Sequence, residues 1–345
     1  MAQTFYPITP VEVTPATANA WTDVDVSASV PAEATGVMLH LVNTSGTSYV
    51  LGLRKNGSTD NRTTAGVGAG KHCWAAIGVD ASRIFEAYIG DITAIDIYLV
   101  GYTMSGVTFF TNAYDKSLTA TETWTDINCA TEAPSAIGLI GEVFGGTTSY
   151  AFGLRMNGSS DARIAGTHYH RTFGVIIGCD GSQLIEGYIG NAAVDFFLVG
   201  YITDGCTFNL NATDLSLGGT GAWTDLTALP SGAVGGFIEV NLGTTLYNYG
   251  LRENGSAEDI YLQANFHPWA FVECDASYII EGKIENVGVD FFLVGYATAV
   301  AGAQTFYQSI PAVTVGSSAL SRANSFYRTL TSTATALPVL LKGMY

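Results

Sequence analysis

The residues of this chain that are able to do chemistry come in threes. Arg54, Arg155 and Arg252 each end a Gly-Leu-Arg triplet, and they are three of only nine arginines. Carboxylates recur in step with them. Asp80, Asp180 and Asp275 form one set, and Glu86, Glu186 and Glu281 follow six residues later. Asp96, Asp195 and Asp290 form a third. A glycosidase needs two carboxylates across one cleft. Three copies of such a site in one chain would be an odd way to build an enzyme. Turn capping by Asp and ion pairing to the repeated arginines are the plainer readings. Calcium in an acidic loop is an alternative without a ligand signature behind it. A guanidinium at a fixed position in a chain sparing with charge needs a partner. Arg54, Arg155 and Arg252 are therefore read as structural ion pairs, with a subunit contact or an anionic ligand as alternatives.

The other reactive types give less. Trp21, Trp124 and Trp223 each precede Thr-Asp. They are read as core or rim packing, with sugar stacking as the competing use. The five histidines show no repeated position. His168 and His170 alternate onto one strand face but do not make a convincing metal site. No Ser-His-Asp order, phosphate loop or Cys-x-x-Cys is visible. Cys179 and Cys274 occupy a position filled by Val79 in the first copy, which marks a buried apolar site. All five cysteines are expected to be reduced. No cofactor or metal is expected.

These residues are carried by a unit repeated three times. The Trp-Thr-Asp start is followed by Gly-Leu-Arg and then by Asn-Gly-Ser at 56–58, 157–159 and 254–256. Each copy closes with Leu-Val-Gly-Tyr, ending at Tyr102, Tyr201 and Tyr296. The spacing is too long for a solenoid and suits an independent domain. Thr4-Phe5, Thr108-Phe109 and Thr207-Phe208 extend the echo upstream. The domains are read as 1–103, 104–203 and 204–298, with 299–345 a partial fourth repeat and assembly tail. Gly106 and Gly205 lie in joints short enough to hold the units in a fixed relation. Seven or eight short strands per unit, rich in Val, Thr and Tyr, predict an all-β protein of three tandem antiparallel β-sandwiches, jelly-roll-like or Greek-key. Asn56-Gly57 and its two counterparts read as tight hairpins.

The closing strand is apolar on both faces. In Val194–Tyr201, Phe196 and Leu198 line one face while Phe197, Val199 and Tyr201 line the other; Phe292 and Val294 repeat the pattern. That second face is covered either by a neighbouring unit of the same chain or by another subunit. Gln304-Thr305-Phe306-Tyr307 echoes Gln3-Thr4-Phe5-Tyr6, so the segment 305–315 is expected to complete unit three or to be given to a neighbour. Leu337, Val339, Leu340, Leu341 and Tyr345 end the chain apolar. With Phe197, Val199, Phe292 and Val294 they are the expected assembly interface.

Thirty acidic against 14 basic residues give a net charge of −16, which argues against nucleic acid and anionic membranes. Only 13% of residues are charged, against about 25% ordinarily, so much of the surface must be apolar or neutral. The start, Met1 to Phe5, has neither the basic nor the apolar region of a secretory signal, and synthesis in a host cytoplasm is expected. Triplicated all-β units, stiff joints and an apolar tail together resemble tandem β-sandwich virion structural proteins of tailed viruses: head decorations, fibres or tail-associated modules. The resemblance is one of layout and carries over no functional residue. It implies a non-enzymatic virion component that binds coat or tail proteins and other copies of itself. The alternatives are a tandem carbohydrate-binding module or adhesin, whose partner would be a host-surface glycan, and an extracellular filament or surface-layer subunit.

Overall fold

The structure is a computed structural model. It describes residues 3–299 apart from 64–65, 146–148, 167–171, 243–245 and 265–266. The first repeat forms strands Phe5–Glu12 (β1), Trp21–Asp25 (β2), Gly36–Asn43 (β3), Tyr49–Lys55 (β4), Gly66–Val67 (β5), Lys71–Gly78 (β6), Ile84–Ile89 (β7) and Ile95–Thr103 (β8). The second forms Val107–Asp115 (β9), Thr125–Asn128 (β10), Gly138–Phe144 (β11), Ala151–Met156 (β12), Ala165–Gly166 (β13), Thr172–Gly178 (β14), Leu184–Ile189 (β15) and Asp195–Ile202 (β16). The third forms Cys206–Asp214 (β17), Thr224–Leu226 (β18), Ala233–Asn241 (β19), Asn248–Glu253 (β20), Leu262–Ala264 (β21), Trp269–Glu273 (β22), Ile280–Ile284 (β23) and Asp290–Thr298 (β24).

Each repeat is a sandwich of two four-stranded layers, one layer of repeat 1 and one of repeat 3 joining through β6 and β21 into a sheet of eight. In the first the orders are β1-β8-β3-β6 and β2-β7-β4-β5, and the same orders recur eight and sixteen strands later. All pairings within a repeat are antiparallel. This interleaving of two Greek keys is the jelly roll. Strict alternation builds it. In β7, Phe85, Ala87 and Ile89 are buried while Ile84, Glu86 and Tyr88 are half-exposed. Phe85 and Ile89 meet Leu39, Leu41, Leu51 and Leu53 in the core of the first repeat. Each such side chain contributes roughly 1.5–3 kcal/mol through burial.

Two local expectations are corrected. The Asn-Gly pairs do not make tight hairpins. Only the glycines have positive φ, 81° at Gly57 and Gly158 and 78° at Gly255, and the Ser58 N–H donates to the Lys55 carbonyl. That is a turn of type II, and the chain then runs about ten residues before β5 pairs back on β4. The Asn side chain is used elsewhere: Asn56 donates to Asp80 at 2.7 Å, as Asn157 does to Asp180 and Asn254 to Asp275. The Thr-Phe echo is also out of step. Gly101, Gly200 and Gly295 face Pro7, Phe109 and Phe208, so Phe5 takes the place of Val107 and Cys206. The bulge in β1 is one residue shorter than those in β9 and β17, which absorbs part of the shift.

The repeats close into a ring. The equivalent strands β6, β14 and β22 touch one another pairwise. Trp74–Ala76, Gly174–Ile176 and Trp269–Phe271 surround one small space where they meet. At Gly174 an added Cβ would lie 2.6 Å from the Ala75 Cα and the Trp74 carbonyl. The three domains thus stand around a pseudo-threefold axis. Each contact is head-to-tail, the kind that closes only if the rotation does. Repeat 3 has its own eight strands, so its two sheets need no strand from 305–315. That segment, and Leu337, Val339, Leu340, Leu341 and Tyr345, lie outside the described residues.

Candidate functional site

The repeated arginines lie on the outer sheets. Strand register puts Arg54 beside Glu86, and Glu86 beside Asp23. The Arg54 Nε and Nη2 donate to the two Glu86 oxygens at 2.9 and 2.8 Å, and Nη1 donates to the Asp60 carbonyl. Its guanidinium lies 4.0 Å from the Trp21 ring centre. Arg155 with Glu186 and Trp124 repeats the arrangement, while Arg252 meets Glu281 through Nε and shares Trp223 with Lys283. The indoles are half-buried, each with one face taken by a cation. The indole edge lies against a glycine: a Cβ at Gly52 would be 2.9 Å from Trp21. The Asp set caps turns. Asp80 accepts from the Ser82 and Ile84 N–H groups, and these bonds with that of Asn56 pull its carboxyl down despite burial.

Two of the three inter-repeat contacts share one design. Phe109 of repeat 2 fills the space above Gly36 and Gly78 of repeat 1, where a Cβ would stand 2.2 and 2.5 Å from it. Phe208 does the same to Gly138 and Gly178. Arg62 reaches from repeat 1 to Glu142 of repeat 2 at 2.7 Å and lies over Phe197. Arg163 reaches from repeat 2 to Glu239 of repeat 3 and lies over Phe292. Asn112 accepts from Ser58 and Thr59, as Asn211 does from Ser159 and Ser160. The Ala113 N–H donates to Asp60 and the Ala212 N–H to Asp161. Burial pushes the Glu142 carboxyl up against the pull of Arg62. For Arg62 and Arg163 burial pulls the other way, and the paired carboxylates outweigh it, holding both guanidiniums charged.

The third contact, repeat 3 to repeat 1, closes the ring without a peptide joint and departs from that design. It is called the seam below. Ile260 stands where Arg62 and Arg163 stand; its carbonyl lies under Gly250 as theirs lie under Gly52 and Gly153. His40 replaces Glu142 and Glu239, since these three face Tyr98, Phe197 and Phe292. Glu273 replaces Gly78 and Gly178. Pro7 replaces the inserted phenylalanine. In compensation β21 pairs in parallel with β6, Gln263 beside Lys71, and Phe5 packs on Phe237 and Phe271 at 5.2 and 5.6 Å. His72 lies 4.3 Å from Tyr249, as His267 lies 4.9 Å from Phe152. A cleft of about 270 Å³ remains, lined by Ile8–Pro10, His40 and Trp74 on one side and Glu253, Glu258 and Glu273 on the other. Burial with the neighbouring carboxylates pushes Glu273 up to about 7 and raises Glu253 and Glu258.

The outer-face residues assigned to an assembly interface are placed otherwise. Phe197 and Phe292 lie under the arginines of the preceding repeat, and Val199 and Val294 are 3% and 6% exposed. Residues of the neighbouring repeat of the same chain lie over this face, and Phe197 and Phe292 stay half-buried. The sequence reading missed Arg62, Arg163, Glu142 and Glu239. It also missed the shared register of His72 and His267, signalled by His-x-Trp at 72–74 and 267–269. His168 and His170 lie outside the described residues. No group of three or more His, Cys, Asp or Glu among the described residues is placed to hold a metal ion. All five cysteines are free thiols, and burial pushes Cys179 up to about 12 and Cys274 to about 11.

No family model matches the chain, and no curated protein matches it. Among solved structures, the CBM22-1–CBM22-2 tandem domain from Paenibacillus barcinonensis Xyn10C aligns with a TM-score of 0.19 and 7% identity. The alignment covers 59% of this chain and 99% of that one. A similarity of that size carries no conclusion about fold or function.

Proposed function

We propose that this protein is a non-enzymatic structural component of a virion, a capsid decoration, head fibre or tail-associated protein. The observation that carries the reading is the closed pseudo-threefold ring. One chain sets three jelly rolls about an axis and turns the same Arg-Glu-Trp face outward three times. Such an object matches a threefold or sixfold position on a coat or tail and can touch several neighbours at once. The conserved geometry of the three outer faces is spent on internal pairs, which fits a rigid building block better than a catalyst. The apolar segment Leu337–Tyr345 supplies the contact to neighbouring subunits, and assembly takes place in a host cytoplasm.

The test is to raise antibody against the recombinant chain and label virions purified from the virus whose genome encodes it. Regular labelling of heads or tails, with loss of binding on truncation after Ala299, supports the reading. Unlabelled virions together with saturable binding on a glycan array would overturn it in favour of an adhesin. That outcome would be traced through Trp21, Trp124 and Trp223, whose loss would then abolish glycan binding.

A further inference from the structure

The two clamped contacts give every buried carboxylate a cation: Arg62 for Glu142 and Arg163 for Glu239. The seam does not. Its carboxylates all belong to repeat 3: Glu253 on β20, Glu258 in the loop beyond it and Glu273 on β22. Arg252 lines the same cleft and is bonded to Glu281 and to the Glu258 carbonyl; its charge draws the Glu258 carboxyl down, but burial outweighs it. Asp275 adds negative charge beside Glu253. From repeat 1 the cleft is covered by Ile8, Thr9, Pro10, Trp74 and Val100, none of them charged. His40 on β3 is held neutral by burial and by His72. Tyr98 on β8 feels Asp96, Glu12 and Glu258, all acidic. Lys71, the seam's basic residue on β6, is used on Gln263 at 3.1 Å. Where repeat 3 places Glu253, repeat 1 has Lys55, which bridges forward to the Phe109 carbonyl, and repeat 2 has Met156.

We propose that the seam is a pH-gated opening in the ring: with its cleft carboxyls neutral repeat 3 stays docked on repeat 1, and their ionisation drives the two apart while the clamped contacts hold. The physical cause is desolvation. Docking lays apolar side chains over carboxyls, which is tolerable when they are neutral and costly when they are charged. The sign follows from Glu273. Burial, the largest cause, raises it to about 7 from an ordinary 4.5; Glu253 and Glu258 belong to the same repeat and act on it docked or not, so docking contributes through desolvation, and the docked form holds the proton more tightly. Docking is therefore strongest below the undocked value, which lies between the ordinary 4.5 and 7, weakens as pH rises from there towards 7, and is flat above that. One pH unit of difference is a tenfold change in the opening equilibrium. Because the side chain keeps some solvent, we expect at least about tenfold across the window rather than the full difference.

The experiment is hydrogen exchange on the full chain at pH 5 and pH 8, corrected for intrinsic exchange. The Gln263 amide, which donates to the Gly70 carbonyl, reports the seam; the Ala212 amide, which donates to Asp161, reports the repeat 2–repeat 3 contact. Protection of Gln263 should fall at least about tenfold from pH 5 to pH 8 while that of Ala212 does not. Glu273→Gln should remove most of the difference, leaving what Glu253 and Glu258 supply. Glu273→Gly, which installs the residue of the other two repeats, should do the same should the glutamine variant fold poorly. A seam with equal protection at both pH values, or a pH response undiminished by both substitutions, would overturn the proposal.

Discussion

The clamped contacts and the seam use the same backbone surfaces with opposite chemistry. Where repeats 1 and 2 meet, and again where 2 and 3 meet, a phenylalanine fills a glycine-floored space and an arginine crosses to a buried glutamate. Where 3 and 1 meet, the floor carries Glu273, the crossing residue is Ile260, and strand pairing through β21 takes over. The clamped contacts join domains tethered by joints as short as Met104–Val107, so a specific but weak clamp suffices there. The seam has no tether and relies on backbone hydrogen bonds and aromatic packing. A homotrimer must repeat each substitution at all three contacts; a tandem chain is free to alter one.

The comparison breaks most readily at Arg163. Arg163→Ala takes the guanidinium from Glu239, whose side chain is 1% exposed and keeps the His267 ring as its partner, and should cost about 3 kcal/mol in urea unfolding. Ile260→Ala at the seam should cost well under half of that. Equal losses would mean that the two contacts do not differ in kind. Next comes the glycine floor. Gly78→Ala drives a methyl into Phe109 and should cost roughly 1–3 kcal/mol, whereas Glu273→Ala removes a covered carboxyl and should leave stability unchanged or higher at pH 8. On the outer sheets, Arg54→Met, Arg155→Met and Arg252→Met should each cost about 1–2 kcal/mol, alike to within about half a kcal/mol, because the three sites share their partners. A clear difference among the three would show that the outer faces sense the seam. The smallest effect is Asn112→Ala, about 1 kcal/mol, read as faster exchange of the Thr59 amide.

The fold class was legible because burial alternates within each strand and the repeat averages out local noise. Val24, Leu53 and Phe85 stand on the buried faces of β2, β4 and β7. The two-faced closing strand signalled a covered surface, but spacing does not say which body covers it. That depends on how whole domains dock, and the answer rests on Arg62 and Arg163, which lie outside the triplicated motifs because the third copy has Ile260. The same applies to Glu273 and His40. Repetition made the common structure visible and hid the departures, and the departures make the cleft. The Thr-Phe echo misled for a related reason: a bulge shorter by one residue moves β1 against its partner without altering the motif.

The contact between Lys71 and Gln263 joins residues 192 positions apart in the chain. At a synthesis rate of roughly 5–20 residues per second, the face around His72 and Trp74 waits on the order of 10–40 s for its partner to leave the ribosome. The clamped contacts form between domains made one after the other and need no such delay. Of the three contacts, ring closure spans the longest stretch of chain and should be the slowest that contact separation imposes. During the interval a third domain from an adjacent ribosome on the same message competes for that face. Faster translation and sparser ribosomes should then leave more chains closed upon themselves and fewer linked to a neighbour.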